Sequence, residues 1–130
     1  MNIEEVVRKY YDSRKALNKA TYQIEVLQKN NERLMQYDCG AYVNQINERV
    51  NNNIKKIVEQ RLKISNIEEK FSSVDYVINN LDDEDKQILE KRYRYNKALE
   101  ALGLEFNISK ASAYRRLNKI VNQIEVELKA

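Results

Sequence analysis

Proline and histidine are absent from this 130-residue chain, glycine occurs twice (Gly40 and Gly103), and Cys39 is the one cysteine. Each absence excludes something. With no proline and two glycines there is almost no material for turns, and the composition favours long helices. Alternating β-branched runs are scarce, which argues against a sheet. A chain without histidine lacks the commonest general base and metal ligand. There is no glycine-rich phosphate loop, and the lone cysteine has neither a disulfide partner nor a candidate base. Carboxylates are plentiful, but their spacing suits solvated helix faces better than a paired acid and base. The reading is a non-enzyme with no cofactor and no metal site. A single cysteine fits a reducing compartment. No apolar run is long enough for a transmembrane helix, and the first residues, with Glu4 and Glu5, carry no signal-peptide pattern. The expected location is cytoplasmic.

What is present is charge, one residue in three, with 23 Lys and Arg against 20 Asp and Glu. The net charge of +3 does not by itself demand nucleic acid. Its distribution says more. Lys91, Arg92, Arg94 and Lys97 form one basic cluster without acids, and Lys110, Arg115, Arg116 and Lys119 form a second. Acids are dense from Asp82 to Asp85 and return at Glu125 and Glu127.

Residues 1–37 contain no helix breaker. Ile3, Val6, Tyr10, Ser13, Leu17, Ala20, Ile24, Leu27, Asn31 and Leu34 alternate steps of three and four, which is a heptad seam. Asp38-Cys39-Gly40 interrupts it, and Gly40 can supply the positive φ that ends a helix. A second seam runs through Val43, Ile46, Val50, Asn53, Ile57, Gln60, Ile64, Ile67, Phe71, Val74 and Ile78. Two such seams around a short break predict a long antiparallel, coiled-coil-like helical hairpin. A tight turn pairs Leu34 with Val43, Leu27 with Val50, Ala20 with Ile57 and Tyr10 with Ile67. A shifted register pairs Asn31 with Asn53 and satisfies both amides better, within one chain or between two, but within one chain it needs a longer loop. The tight turn is the preferred expectation. Tyr42, Ile54 and Leu62 widen the second apolar stripe, so they either form an oligomer interface, consistent with a homodimer through the hairpin, or pack on the C-terminal module.

Leu81-Asp82 marks a boundary, giving a hairpin at 1–80 and a second domain at 81–130. Asp82 is a candidate N-cap, and Asp83, Glu84 and Asp85 suit the positive end of a helix dipole. This helix should bury Ile88, Leu89 and Tyr93. A short helix near Ala98 to Phe106 places Leu99, Leu102 and Phe106 on one face, with Gly103 between them permitting close crossing. Asn107 tolerates the left-handed region a turn needs. Ser109 caps a third helix whose inner face is Ala113, Leu117, Ile120, Val121, Ile124 and Leu128. All-α architecture ending in a three-helix helix-turn-helix module is the expected fold.

The outward positions of that third helix are Lys110, Ala111, Ser112, Tyr114, Arg115, Asn118 and Lys119. They begin at the end that enters a major groove in helix-turn-helix proteins. Arginine can pair with guanine O6 and N7, and asparagine with adenine N6 and N7. Ser112 can donate to base or phosphate, Ala111 can touch a thymine methyl, and Tyr114 and Lys119 suit phosphates. The Ser109 cap leaves backbone N–H groups for a phosphate. Lys91, Arg94 and Lys97 are further phosphate candidates. Arg92 is expected to tie its helix to its neighbours, and Arg116 to pair with Asp85 or Glu90.

The segment Ile88-Leu-Glu-Lys-Arg-Tyr, the helix near Ala98 to Phe106, and Asn107-Ile-Ser-Lys-Ala-Ser-Ala-Tyr-Arg-Arg-Leu resemble sigma-70 region 4. More closely they resemble small phage-encoded late transcription regulators of the ArpU/RinA type, which share a helical N-terminal hairpin. Leu89, Arg92 and Tyr93 match the first element of that pattern. Leu102, Phe106 and Ser109 match the second in character, and Ser109, Ala113, Tyr114 and Arg115 match the third. Asn96 stands where the family usually has Gly, Ala98-Leu99 replaces Thr-Trp, Gly103 replaces Ala, and Asn107 replaces a frequent Gly. The resemblance implies a late-gene activator of a phage or mobile element that binds double-stranded DNA and acts with RNA polymerase. Two alternatives compete: an oligomeric DNA-packaging component similar to small terminase subunits, and an interaction module that does not touch DNA.

Overall fold

The computed structural model describes residues 2–37 and 40–130. Every element among them is helical: α1 (Ile3–Met35), a 3-10 turn (Gly40–Tyr42), α2 (Val43–Lys70), α3 (Ser72–Asn79), α4 (Asp83–Tyr93), α5 (Leu99–Glu105) and α6 (Lys110–Lys129). None of these helices is long and apolar enough to cross a membrane. The chain divides into two compact units, one joining the residues up to Arg14 to Lys70–Ala130, the other comprising Lys15–Glu69. This partition differs from the boundary expected at residue 81, because the first turns of α1 and the whole of α3 belong with the C-terminal helices.

In the unit of Lys15–Glu69, α1 and α2 run antiparallel. In α2 the positions withdrawn from solvent are Ile46, Val50, Asn53, Ile57, Gln60, Ile64 and Ile67. The register is not the tight-turn one. The Asn53 amide donates to Asn31 Oδ1 at 2.8 Å, and the Asn31 amide donates to the Val50 carbonyl at 3.5 Å. With that pair fixed, Leu34 comes level with Val50 and Leu27 with Ile57, one heptad away from the expected pairs, and Val43 is exposed. The energetics favour this arrangement. A slide to the tight turn would place Asn31 against Ile46 and Asn53 against Ile24, stranding two amides at roughly 1–3 kcal/mol each. The longer connection costs only about 0.6 kcal/mol per doubling of its length. Gly40 does not supply a positive φ. It opens the 3-10 turn instead, so the connection closes without a left-handed glycine, and Asp38 and Cys39 of the predicted break lie outside the described residues. Tyr42, Ile54 and Leu62 are exposed.

The other unit is built around one apolar cluster. Ile3, Val7, Tyr10 and Tyr11 of α1 join Val74 and Ile78 of α3, Leu81 of the connection after it, Ile88, Leu89 and Tyr93 of α4, Leu102 of α5, and Ala113, Leu117, Ile120, Val121 and Ile124 of α6. Tyr10 therefore belongs to this core and not to a pairing with Ile67. Asn2 starts α1 by accepting from the Glu4 N–H at 3.0 Å, and Glu4 and Glu5 favour the positive end of its dipole. The predicted second arm is interrupted at Phe71, which lies between α2 and α3 with φ −107° and ψ 13°. Its ring meets Tyr10 edge-on at 6.3 Å. The Tyr10 hydroxyl donates to Asp75, which also receives Asn79 at 3.2 Å and lies 3.5 Å from Arg14.

Three phenols are buried in this core, and burial makes their ionisation difficult. It pushes Tyr93 up from 10.0 to about 12, with Glu4 adding to the effect and Arg8 opposing it. Tyr10 and Tyr11 are raised further, again chiefly by burial, with the Asp75 hydrogen bond second for Tyr10 and the Tyr10 charge second for Tyr11. A raised folded-state pKa contributes stability that is complete below the unfolded value and is lost as pH climbs through the folded one. The unit should therefore lose stability from pH 10 upward. Phenolate absorbance rising together with loss of helical circular dichroism is the expected result. Ionisation of all nine tyrosines with the helices intact would contradict it.

Candidate nucleic-acid interface

The elements leading to the candidate surface are set by two left-handed asparagines. Asn96 has φ 54° and Asn107 φ 56°. Asparagine tolerates this region better than most residues because its short amide bonds locally. After α4 the Lys97 N–H returns to the Lys91 carbonyl at 3.1 Å. The Arg92 guanidinium donates to the Lys97 carbonyl at 2.9 Å, so Arg92 fastens the turn, as the sequence led us to expect. Helix α5 then starts at Leu99 with Ala98 in the cap position and no side-chain cap bond. Asp82 likewise occupies the cap position of α4 without a side-chain bond, contrary to expectation. The neighbouring carboxylates Glu84 and Asp85 are drawn to Arg116.

The turn from α5 to α6 is tight. The Phe106 N–H bonds the Leu102 carbonyl at 3.0 Å and the Ile108 N–H bonds the Gly103 carbonyl at 2.8 Å, a Schellman-type closure around Asn107. Gly103 is buried, and a Cβ there would lie 2.6 Å from the Ile108 carbonyl oxygen. Only glycine lets the backbone of α5 approach the start of α6 this closely. Ser109 caps α6 by accepting from the Ser112 N–H at 3.0 Å. Ala113, Leu117, Ile120, Val121 and Ile124 are buried, which fixes the rotation of α6.

That rotation turns Lys110, Ala111, Tyr114, Arg115, Asn118 and Lys119 outward, with Ser109 exposed and Ser112 half-buried. Ser112 is the centre of a small network: its Oγ accepts from Ser109 Oγ at 2.9 Å and from Arg115 Nη2 at 3.2 Å. Comparison of the chain with protein-family models, with curated proteins and with solved structures finds no match. Asn122, one heptad beyond Arg115, continues the exposed strip. Its spacing from Arg115 is the sequence signal that identifies it. Among the described residues, no acidic side chain forms an ion pair with Arg115 or Lys119.

The remaining basic residues behave differently. Arg116 bonds Glu84 at 2.9 Å and Asp85 at 3.2 Å, tying α6 to the first turn of α4. The expected Asp85 pairing is present, and Glu84 takes the place of Glu90. The Glu84 bond reinforces the Arg116 charge, and Arg116 in turn holds the Glu84 carboxyl below the usual carboxylate range. Arg94 bonds Glu90 at 3.1 Å within its own helix and lies 5.5 Å over the Tyr95 ring. Lys91 bonds Glu105, and Lys97 lies 3.3 Å from the other oxygen of the same carboxylate. Lys110 lies 3.2 Å from Glu100. The cluster at 91–97 that looks free of acids in sequence is thus neutralised in part by Glu90 and Glu105. Of the candidate phosphate contacts, Lys91, Arg94 and Lys97 are already engaged, whereas Tyr114 and Lys119 are exposed on α6.

Proposed function

We propose that the protein is a sequence-specific DNA-binding transcription regulator that reads the major groove with α6. The observation carrying this reading is the outward strip of α6, basic and amide-bearing, without an acid from Lys110 to Ile124. In this reading α5, the Asn107 turn and α6 form the helix-turn-helix, and Gly103 and the Ser109 cap hold the reading helix at a fixed angle. Arg115 pairs with guanine and Asn118 with adenine, Ser112 and Ala111 supply lesser base contacts, and Tyr114 and Lys119 grip phosphates on either flank. The resemblance to ArpU/RinA-type regulators and to sigma-70 region 4 supports a late-gene activator of phage or mobile-element origin that works with RNA polymerase. Exposed Tyr22, Ile54, Val58 and Leu62 on the α1–α2 hairpin support a homodimer. The same residues suit the repeated contacts of a ring-forming DNA-packaging subunit, the second reading, and light scattering separates a dimer from a closed ring.

Selection from a random duplex library at fixed salt should yield a consensus, palindromic if the dimer is two-fold. On the selected duplex Arg115→Ala should weaken binding by roughly 1–3 kcal/mol, about 5- to 150-fold, and relax preference at one position. Its exposed side chain leaves the melting temperature unaltered. If Arg115→Ala and Lys110→Ala both bind like the parent, α6 is not the reading helix.

A further inference from the structure

Three lysines, Lys91 of α4, Lys97 of the following turn and Lys110 of α6, are already paired, and both acids that hold them lie on one short helix. Glu105, at the end of α5, takes Lys91 from α4 and Lys97 from the intervening turn through its two carboxylate oxygens. Glu100, one turn earlier, takes Lys110 from the first turn of α6. Lys91 is further steadied 5.3 Å over the Phe106 ring. Phosphate arriving at any of these lysines must displace a carboxylate. Arg115 and Asn118, by contrast, meet a duplex with no acid to displace. We infer that Glu100 and Glu105 are internal competitors of the phosphate backbone, which hold down sequence-independent affinity so that the base contacts of α6 decide where the protein stays. The inference rests on the DNA-binding reading and adds a specificity-determining role for two acids that have no part in base contact.

The physical case is one of competition between two anions for the same ammonium. The Lys97–Glu105 and Lys110–Glu100 pairs are largely solvent-facing, so each is worth little to folding. Their effect on DNA is different in kind. Phosphate neutralisation releases condensed counterions and appears as a salt dependence of slope ~0.9 per phosphate. A lysine that exchanges one anion for another contributes less than a full unit to that slope. Removing the carboxylate restores the full contribution.

The experiment measures affinity for a random-sequence duplex and for a selected duplex from 50 to about 300 mM salt. The proteins compared are the parent, Glu105→Gln and Glu100→Gln, all as full chains. The isosteric amides keep shape and one acceptor oxygen while removing charge. Each variant should bind random duplex about five- to tenfold more tightly near 0.1 M salt, with a slope steeper by up to ~0.9 for each lysine freed. The ratio of selected to random affinity should fall. Parent binding with unchanged slopes and ratios in both variants overturns the inference and leaves the DNA reading standing. A parent with no salt-dependent binding removes both. Should Glu105→Gln lower the melting temperature through loss of its double pairing, Glu100→Gln decides alone, because its pair is the more exposed of the two.

Discussion

Gly103→Ala should destabilise the unit containing α4, α5 and α6 by at least ~2 kcal/mol, a fall of roughly 10 °C or more in its melting temperature. The sign of this result is informative, because glycine inside a helix ordinarily gains about 1 kcal/mol on replacement by alanine. Here the new methyl would sit 2.6 Å from the Ile108 carbonyl oxygen, 3.3 Å from the Ser109 carbonyl carbon and 3.4 Å from the Lys110 nitrogen. All three are backbone atoms, so no side chain can swing aside. Relief requires α5 and the start of α6 to separate, which strains the Ile108-to-Gly103 hydrogen bond at 2.8 Å. Thermal unfolding followed by circular dichroism reads the outcome. An unchanged or raised melting temperature would show that the helices have room to yield.

The second large effect concerns the amide pair between α1 and α2. Replacing both Asn31 and Asn53 by Leu should stabilise the Lys15–Glu69 unit by roughly 2–4 kcal/mol, because two partly buried amides become packed apolar groups. Specificity should fall at the same time, since a polar pair at one level of a seam sets register at a cost in stability. The slide by one heptad, which places Asn31 against Ile46 in the parent, then strands nothing. Urea unfolding measures the gain, and distances between spin labels placed on the two helices should change from one population to two. Asn53→Ala alone should act in the opposite direction, by about 1 kcal/mol, since it leaves the Asn31 carbonyl oxygen without its donor. A double variant with a single distance and no added stability would remove the amides from the account of register.

These two sites also show what could be read in the sequence and what could not. Local chemistry was legible. Asn107 in the left-handed region, Ser109 as a cap and the inner face of α6 each follow from one or two residues and their neighbours. So did the seam of α2, because steps of three and four name the inward positions without reference to a partner. Register was not legible in the same way: a heptad pattern looks identical after a slide of seven residues, and Asn31 and Asn53 alone break that degeneracy. Loop length carries the smaller free energy, so amide satisfaction outweighs the shorter connection. The destination of the first turns of α1 was hidden for a related reason. Ile3, Val6 and Tyr10 fit a two-helix seam, but the adjacent Val7 and Tyr11 broaden the stripe beyond what one partner covers, a sign of a larger core. The acids that engage Arg116, Lys91, Lys97 and Lys110 come from other helices. Linear charge runs cannot reveal such partners, and the basic cluster at 91–97 consequently looked barer than it is.

The anchoring of Tyr10 to Asp75, 65 residues later in the chain, has a consequence for how the molecule comes into being. The first turns of α1 are synthesised well before the helix they pack with, since Ile3 and Val7 share a cluster with Ile120 and Ile124. Contacts so distant in sequence must be closed against chain entropy before they repay it, which slows folding relative to a local helical bundle. Until α6 has been synthesised, the apolar side of these turns lacks part of its cover, and the growing chain carries an unburied greasy stripe.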